Sequence, residues 1–127
     1  MTEQDKKTLL KSQQGELDAV LMYKALAKVV KDEKDRETFI QLASEEGHHA
    51  SVFRNLTNTA LAPKKTLATL VPIIYKLIGK KRLYPIIAKF EYNAENTYQP
   101  VAEKYPEIES VKNDEHRHGD TVMGLLK

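Results

Sequence analysis

Glu16, Glu46, His49, Glu91, Glu115 and His118 each interrupt a row of apolar residues, and their side chains are of the kinds that hold metal ions. Glu46 and His49 form a Glu-x-x-His pair, as do Glu115 and His118. Residues three apart on a helix share a face, so each pair can offer one oxygen and one imidazole nitrogen to the same ion. Glu16 and Glu91 each add a carboxylate from another helix. The expected constellation is four carboxylates and two imidazoles directed at one point in the core. Burying a carboxylate costs on the order of several kcal/mol even after relaxation, and like charges add repulsion. No lysine lies on the same rows to offset this. Two divalent cations balance four carboxylates and leave the histidines as neutral donors, so the charge count asks for two ions. An oxygen-rich set with one imidazole per ion suits iron or manganese, whereas structural zinc usually takes thiolate and imidazole. In isolated material manganese or zinc could occupy the site in place of iron. Iron and manganese both change oxidation state, which makes peroxide or dioxygen the natural substrate. A single Glu-x-x-His is a weak signal, common on solvated helix faces; two pairs plus two further carboxylates on inner rows are a specific one.

The elements that must position these residues follow from apolar steps of three and four, the mark of one helix face. The first row reads Leu9, Gln13, Glu16, Val20, Tyr23, Ala27 and Val30, and a charged turn over 31–35 breaks it. The second reads Phe39, Leu42, Glu46, His49, Phe53, Leu56 and Ala60; the third reads Ile87, Glu91, Ala94, Tyr98, Val101 and Tyr105. Pro106 suits the first turn of a further helix, whose row is Ile108, Val111, Glu115, His118, Val122 and Leu125. Pro100 removes a backbone donor from the third helix and is expected to kink it. Short turns make each successive pair antiparallel, and a connection over 61–82 joins the two hairpins. This predicts an all-α chain: a four-helix bundle of two antiparallel hairpins with one long crossover that contains a short helix, the connectivity of ferritin-like bundles. With 127 residues, one domain over 1–127 is expected.

Composition removes other chemistries. There is no cysteine, which excludes disulfides, thiolate zinc, cysteine-ligated clusters and cysteine nucleophiles among these residues. The polar start Met1 to Lys6 lacks a signal peptide's apolar region, and the longest apolar-rich stretch, 67–79, contains Lys76 and is too short to span a bilayer. A cytoplasmic protein is the expectation.

The chain resembles the ferritin-like di-iron superfamily and, within it, the rubrerythrin family. The likeness runs from about Leu9 to Leu126 and rests on Glu16 with Tyr23 two turns on, Ser44-Glu45-Glu46-Gly47-His48-His49, Phe90-Glu91-Tyr92, and Asp114-Glu115-His116-Arg117-His118-Gly119. The resemblance implies iron binding with peroxidase, oxidase or ferroxidase activity, and electrons from a separate donor, because the rubredoxin-like module of many rubrerythrins needs cysteines. It also implies a further glutamate three residues after the third-helix ligand, where this chain has Ala94. Glu95, one position on, either swings in as a seventh ligand or faces water. With no membrane-spanning segment after the last helix, transport is not expected of these residues.

Other positions carry two readings each. Glu45, His48 and His116 fall beside the inner rows and read as flank residues. Asp114 could accept a hydrogen bond from a ligand histidine, or face solvent. Tyr23 and Tyr98, two turns from Glu16 and Glu91, could donate to the carboxylates or serve radical chemistry, although core packing with a satisfied hydroxyl is the simpler reading. Between Glu46 and Glu91 there is no acidic residue and there are eight basic ones, so with +2 overall the rest of the chain is net −6. The basic and apolar crossover 61–82 could dock an acidic electron-transfer partner or an anionic membrane surface. More simply, it packs a short kinked helix on the bundle or across a homodimer interface. Basic charge without interleaved aromatics gives no reason to invoke nucleic acid. The functions open at this point are a di-iron or di-manganese oxidoreductase, a ferroxidase or iron-sensing protein, and a metal-free helical interaction module.

Overall fold

A computed structural model describes all 127 residues. The chain is all-α, with helices α1 (Glu3–Val29), α2 (Glu33–Thr57), α3 (Thr66–Ile78), α4 (Lys80–Lys104) and α5 (Ile108–Gly124) and no strand. No helix is long and apolar enough to cross a membrane. Two compact units, Met1–Ile73 and Ile74–Lys127, each contain one helical hairpin.

In the first unit α1 packs along α2. Thr2 caps α1, its hydroxyl accepting from the Asp5 amide at 3.0 Å, and Glu3 and Asp5 place negative charge in the first turn, where the exposed amides favour it. Residues 30–32 turn the chain back, too few for anything but antiparallel helices. Arg36 closes this end: its guanidinium donates to the Ala27 and Val30 carbonyls and pairs with Glu33. Those are end-of-helix carbonyls that the helix itself cannot satisfy. Leu9, Tyr23, Leu26, Phe39, Leu42 and Phe53 fill the interior, with Tyr23 and Phe39 stacked at 5.7 Å between ring centroids.

Helices α1 and α2 depart from the first two apolar rows at three places. Asp35 belongs to the first turn of α2 rather than to the interhelical turn, and it is buried. Val20 is half-buried. The second row keeps Leu56 within α2, half-buried, and stops short of Ala60, because α2 ends at Thr57 with Asn58 in the left-handed region at φ 53°. Thr57 takes the inward place, since its hydroxyl donates to Gln13 Oε1 at 2.6 Å while Gln13 Nε2 donates to the Thr59 carbonyl at 2.8 Å. Beyond it the chain is tied to α1 by the Lys64 amide, which donates to Asp18 at 2.7 Å.

In the second unit α4 packs along α5. Gly79 alone separates α3 from α4, so α4 starts within the stretch read as crossover. At φ 76° it occupies a region that side chains disfavour, and there its amide still bonds the Tyr75 carbonyl while its own carbonyl accepts from Leu83. Tyr75 and Tyr84 stack across this corner. Pro85 and Pro100 both lie inside α4, each removing one helical donor. Pro106 sits in the turn before α5, its carbonyl accepting from the Glu109 amide, rather than in the first turn of the helix itself. Lys112 then pins α5 to α4 by donating to Gln99 at 2.8 Å while pairing with Glu109. Ile87, Val101, Ile108, Val111 and Val122 are buried along the hairpin, whereas Ala94 and Tyr105 are half-buried.

Candidate metal centre

In the first unit Glu16 comes from the middle of α1, and Glu46 and His49 from the middle of α2. Their relative exposures are 2 %, 2 % and 1 %. His49 Nδ1 lies 2.9 Å from Glu46 Oε1 and 3.6 Å from Glu16 Oε2, so a single ring nitrogen faces both carboxylates. Ligand atoms of the three residues lie within 4.8 Å of one another.

The second unit repeats the arrangement. Glu91 comes from α4, and Glu115 and His118 from α5, with exposures of 6 %, 2 % and 0 %. His118 Nδ1 stands 3.4 Å from Glu91 Oε2 and 3.4 Å from Glu115 Oε1. Here too the three ligand atoms fall within 4.8 Å of one another. In both hairpins a carboxylate on one helix faces a Glu-x-x-His pair on its neighbour, as expected of residues sharing a helix face.

These donor sets fit a metal ion. Two ionised carboxylates outnumber what one imidazolium can neutralise, so ionising both in a triad leaves a net negative charge in a buried place. Such a charge is costly unless a cation joins it. The atoms are oxygen and nitrogen without sulfur, the combination that suits iron, manganese or another first-row ion. Nδ1 is the atom presented in both histidines, so a proton and a metal compete for it.

Glu95 turns to His116, its Oε1 2.9 Å from His116 Nδ1, and the imidazole is half-exposed or more. Asp114 accepts from Arg117 at 3.2 Å. Tyr23 and Tyr98 are buried, Tyr23 against Phe39. Glu45 accepts from Gln41, and His48 is exposed.

A polar cluster on α4 and α5 had no counterpart among the candidates. Tyr92 donates its hydroxyl to Asp120 at 2.6 Å, and His116 Nε2 stands 3.3 Å from the other Asp120 oxygen. The bond to Asp120, with smaller contributions from burial and from the charges of Asp120 and Glu95, pushes the Tyr92 phenol up to about 12. Glu95 raises His116 above the ordinary histidine value, first through the hydrogen bond and then through its charge, with Asp120 adding to it. The spacing of His116 and Asp120, four apart on α5, was the available sequence signal.

Among known families, residues 7–126 match the one described as Rubrerythrin. Neither a curated protein nor a solved structure matches the chain.

Proposed function

Because the chain belongs to the rubrerythrin family, we propose that it binds two iron or manganese ions through Glu16, Glu46, His49, Glu91, Glu115 and His118 and works as a redox protein. The observation that carries this reading is the triad of two carboxylates and one imidazole, built twice in buried positions. A lone buried carboxylate can be a structural accident; the same donors at the same helical spacing in both hairpins are a repeated device. Four carboxylates against two imidazoles supply the charge that two divalent ions require.

Two such ions, when bound, supply the electrons that reduce hydrogen peroxide or dioxygen, and a separate donor returns them. The protein's own residues do the rest. His49 and His118 each give up the Nδ1 position to a cation and lose any proton held there. Glu46 and Glu115, one helical turn before them, hold the imidazoles by the contacts at 2.9 and 3.4 Å. Glu16 and Glu91 close each triad from the facing helix. Tyr23, Phe39 and Leu42 wall the first triad's hairpin with apolar bulk, limiting water there. The electron donor is other than a cysteine-ligated group within these residues, which contain no cysteine.

A second reading, ferroxidase or iron handling, is favoured by one observation. Ala94 replaces the further glutamate of typical rubrerythrins, and Glu95 is engaged with His116. The donor set is therefore the smaller one, without the additional carboxylate.

An anaerobic ferrous titration tests both. About two irons per chain are expected, falling to about one in Glu46→Ala or in Glu115→Ala and lost when both are changed. No saturable iron binding in folded protein would remove both readings. Adding peroxide and dioxygen separately to the loaded protein then divides peroxidase from oxidase, and oxidised iron retained without catalytic turnover identifies iron handling.

A further inference from the structure

Helix α3 carries Leu67, Leu70, Ile73, Ile74 and Leu77 at steps of three and four, which places them on one arc of its surface. All five are exposed, Leu77 at 77 %, while Val71 and Tyr75 form the buried edge of the same helix. Scattered exposed leucines are ordinary, but a continuous aliphatic arc along a whole helix marks an interaction surface. Along this stretch of chain the charge has one sign, although Asp18 of α1 accepts from the Lys64 amide before the helix. No acidic residue occurs between Glu46 and Glu91, and Lys64, Lys65, Lys76, Lys81, Arg82 and Lys89 are all exposed. Lys64 and Lys65 precede the helix, and Lys81 and Arg82 follow it, so cations stand at both ends of a segment about 20 Å long.

Three occupants can be compared. A second copy across a two-fold axis would set this patch against itself, and its cations against cations. An acidic protein would satisfy the lysines, but charge-steered contacts of that kind are small and polar and leave an aliphatic arc without a partner. An anionic lipid surface accepts both parts: acyl chains take the leucines and isoleucines without demanding a matching shape, and headgroup phosphates take the lysines. We infer that α3 docks the chain on an anionic membrane surface, lying in the headgroup plane with its aliphatic arc toward the acyl chains. The attachment is peripheral, since no helix can cross. It does not depend on the metal ions.

The test is co-sedimentation of the full chain with vesicles of phosphatidylglycerol and phosphatidylcholine, beside vesicles of phosphatidylcholine alone. Binding to the anionic vesicles at low salt, reversed by high salt and weakened roughly fivefold for each of Lys64, Lys65 and Lys81 changed to Gln, is expected. Leu70→Glu and Leu77→Glu should abolish it; both positions are exposed, and unchanged helicity and Tm show that the fold is kept. Failure of folded wild-type protein to bind anionic vesicles at low salt overturns the inference. So does binding that Leu70→Glu and Leu77→Glu leave intact, or binding to polyglutamate as tight as to the vesicles, which assigns the face to an acidic protein. A concentration-dependent dimer dissolved by Leu77→Glu, with no vesicle binding, overturns it in favour of a second copy.

Discussion

The ring of Tyr92 rests directly on the backbone of Gly119, so closely that a β-carbon built on Gly119 would fall 2.6 Å from Tyr92 Cζ and 2.8 Å from Cδ1. Real carbon atoms do not approach at that distance, and a phenol ring anchored at its hydroxyl by Asp120 cannot easily swing aside. Both residues adjoin proposed ligands, Tyr92 following Glu91 and Gly119 following His118. The contact therefore sets how near α4 and α5 come at the level of the second triad.

Gly119→Ala should accordingly act through Tyr92. Overpacking of this kind costs about 1–3 kcal/mol, and a fall in Tm of roughly 5–10 °C is expected. Iron affinity at Glu91, Glu115 and His118 should weaken with it. In the Tyr92→Ala background the added methyl meets no ring, so Gly119→Ala should then change Tm little. Equal losses in the two backgrounds, measured by thermal melts, would place the cost in the helix and not in the contact.

The two triads predict opposite signs for stability and loading. Without metal, Glu16 adds a second buried carboxylate to a ring nitrogen that Glu46 already contacts at 2.9 Å, whereas Glu16 stands 3.6 Å from it. Glu16→Gln removes that surplus charge at nearly constant shape and should raise the Tm of the metal-free protein, by about 1 kcal/mol in stability. The same change should lower iron stoichiometry toward about one per chain and shrink the stabilisation on loading, which at a hundredfold excess over Kd is about 2.7 kcal/mol for each occupied site. Calorimetry of the chelator-treated and loaded forms separates the two effects. A metal-free Glu16→Gln protein less stable than wild type would mean that the carboxylate is held by compensating contacts.

The charged pairs could be read from the sequence because each breaks a row whose neighbours are apolar, and a helix fixes what lies three or four residues away. Features that depend on long-range register could not. Apolar spacing runs on to Ala60, yet α2 stops at Thr57, where the hydroxyl reaches Gln13 on another helix. Asp35 looks like part of a charged turn in its local sequence, and its burial is a consequence of where α2 begins. Tyr92, Asp120 and Gly119 lie on or beside the helix flanks, and only the relative alignment of α4 and α5 brings them together. Helix α3 shows the reverse difficulty: Leu67, Leu70 and Leu77 have the spacing of a core face, and periodicity alone does not distinguish a face turned inward from one turned outward.

The Tyr92 phenol gives a direct reading of its bond to Asp120. Its titration, followed by ultraviolet difference absorbance, is expected at about 12 in the wild type and nearer the ordinary phenol value of 10.0 in Asp120→Asn. The sign for stability follows from the folded value lying above the unfolded one. The protonated phenol's contribution is present below pH 10.0 and is lost as pH rises toward about 12. Because the ring is only half-buried, that contribution is small, and the spectral midpoint is the measurement to use. An unchanged midpoint in Asp120→Asn would assign the shift to something other than this bond.

Metal loading should release protons. His49 and His118 present the same Nδ1 atom to two carboxylates that a cation would need, so in the metal-free state a proton is the natural bridge between ring and carboxylate. A metal ion takes the lone pair only after that proton leaves, and iron affinity should therefore rise with pH across the range where imidazoles titrate. Isothermal titration of ferrous ion under anaerobic conditions, repeated in buffers of different ionisation enthalpy, counts the protons directly. A positive number for wild type is expected, roughly halved in His49→Ala and again in His118→Ala relative to the two-site protein, each variant keeping the other triad. No dependence of the apparent enthalpy on buffer, in protein that does take up iron, would show that both imidazoles are already neutral and poised, and that the histidine–carboxylate contacts are made without a shared proton.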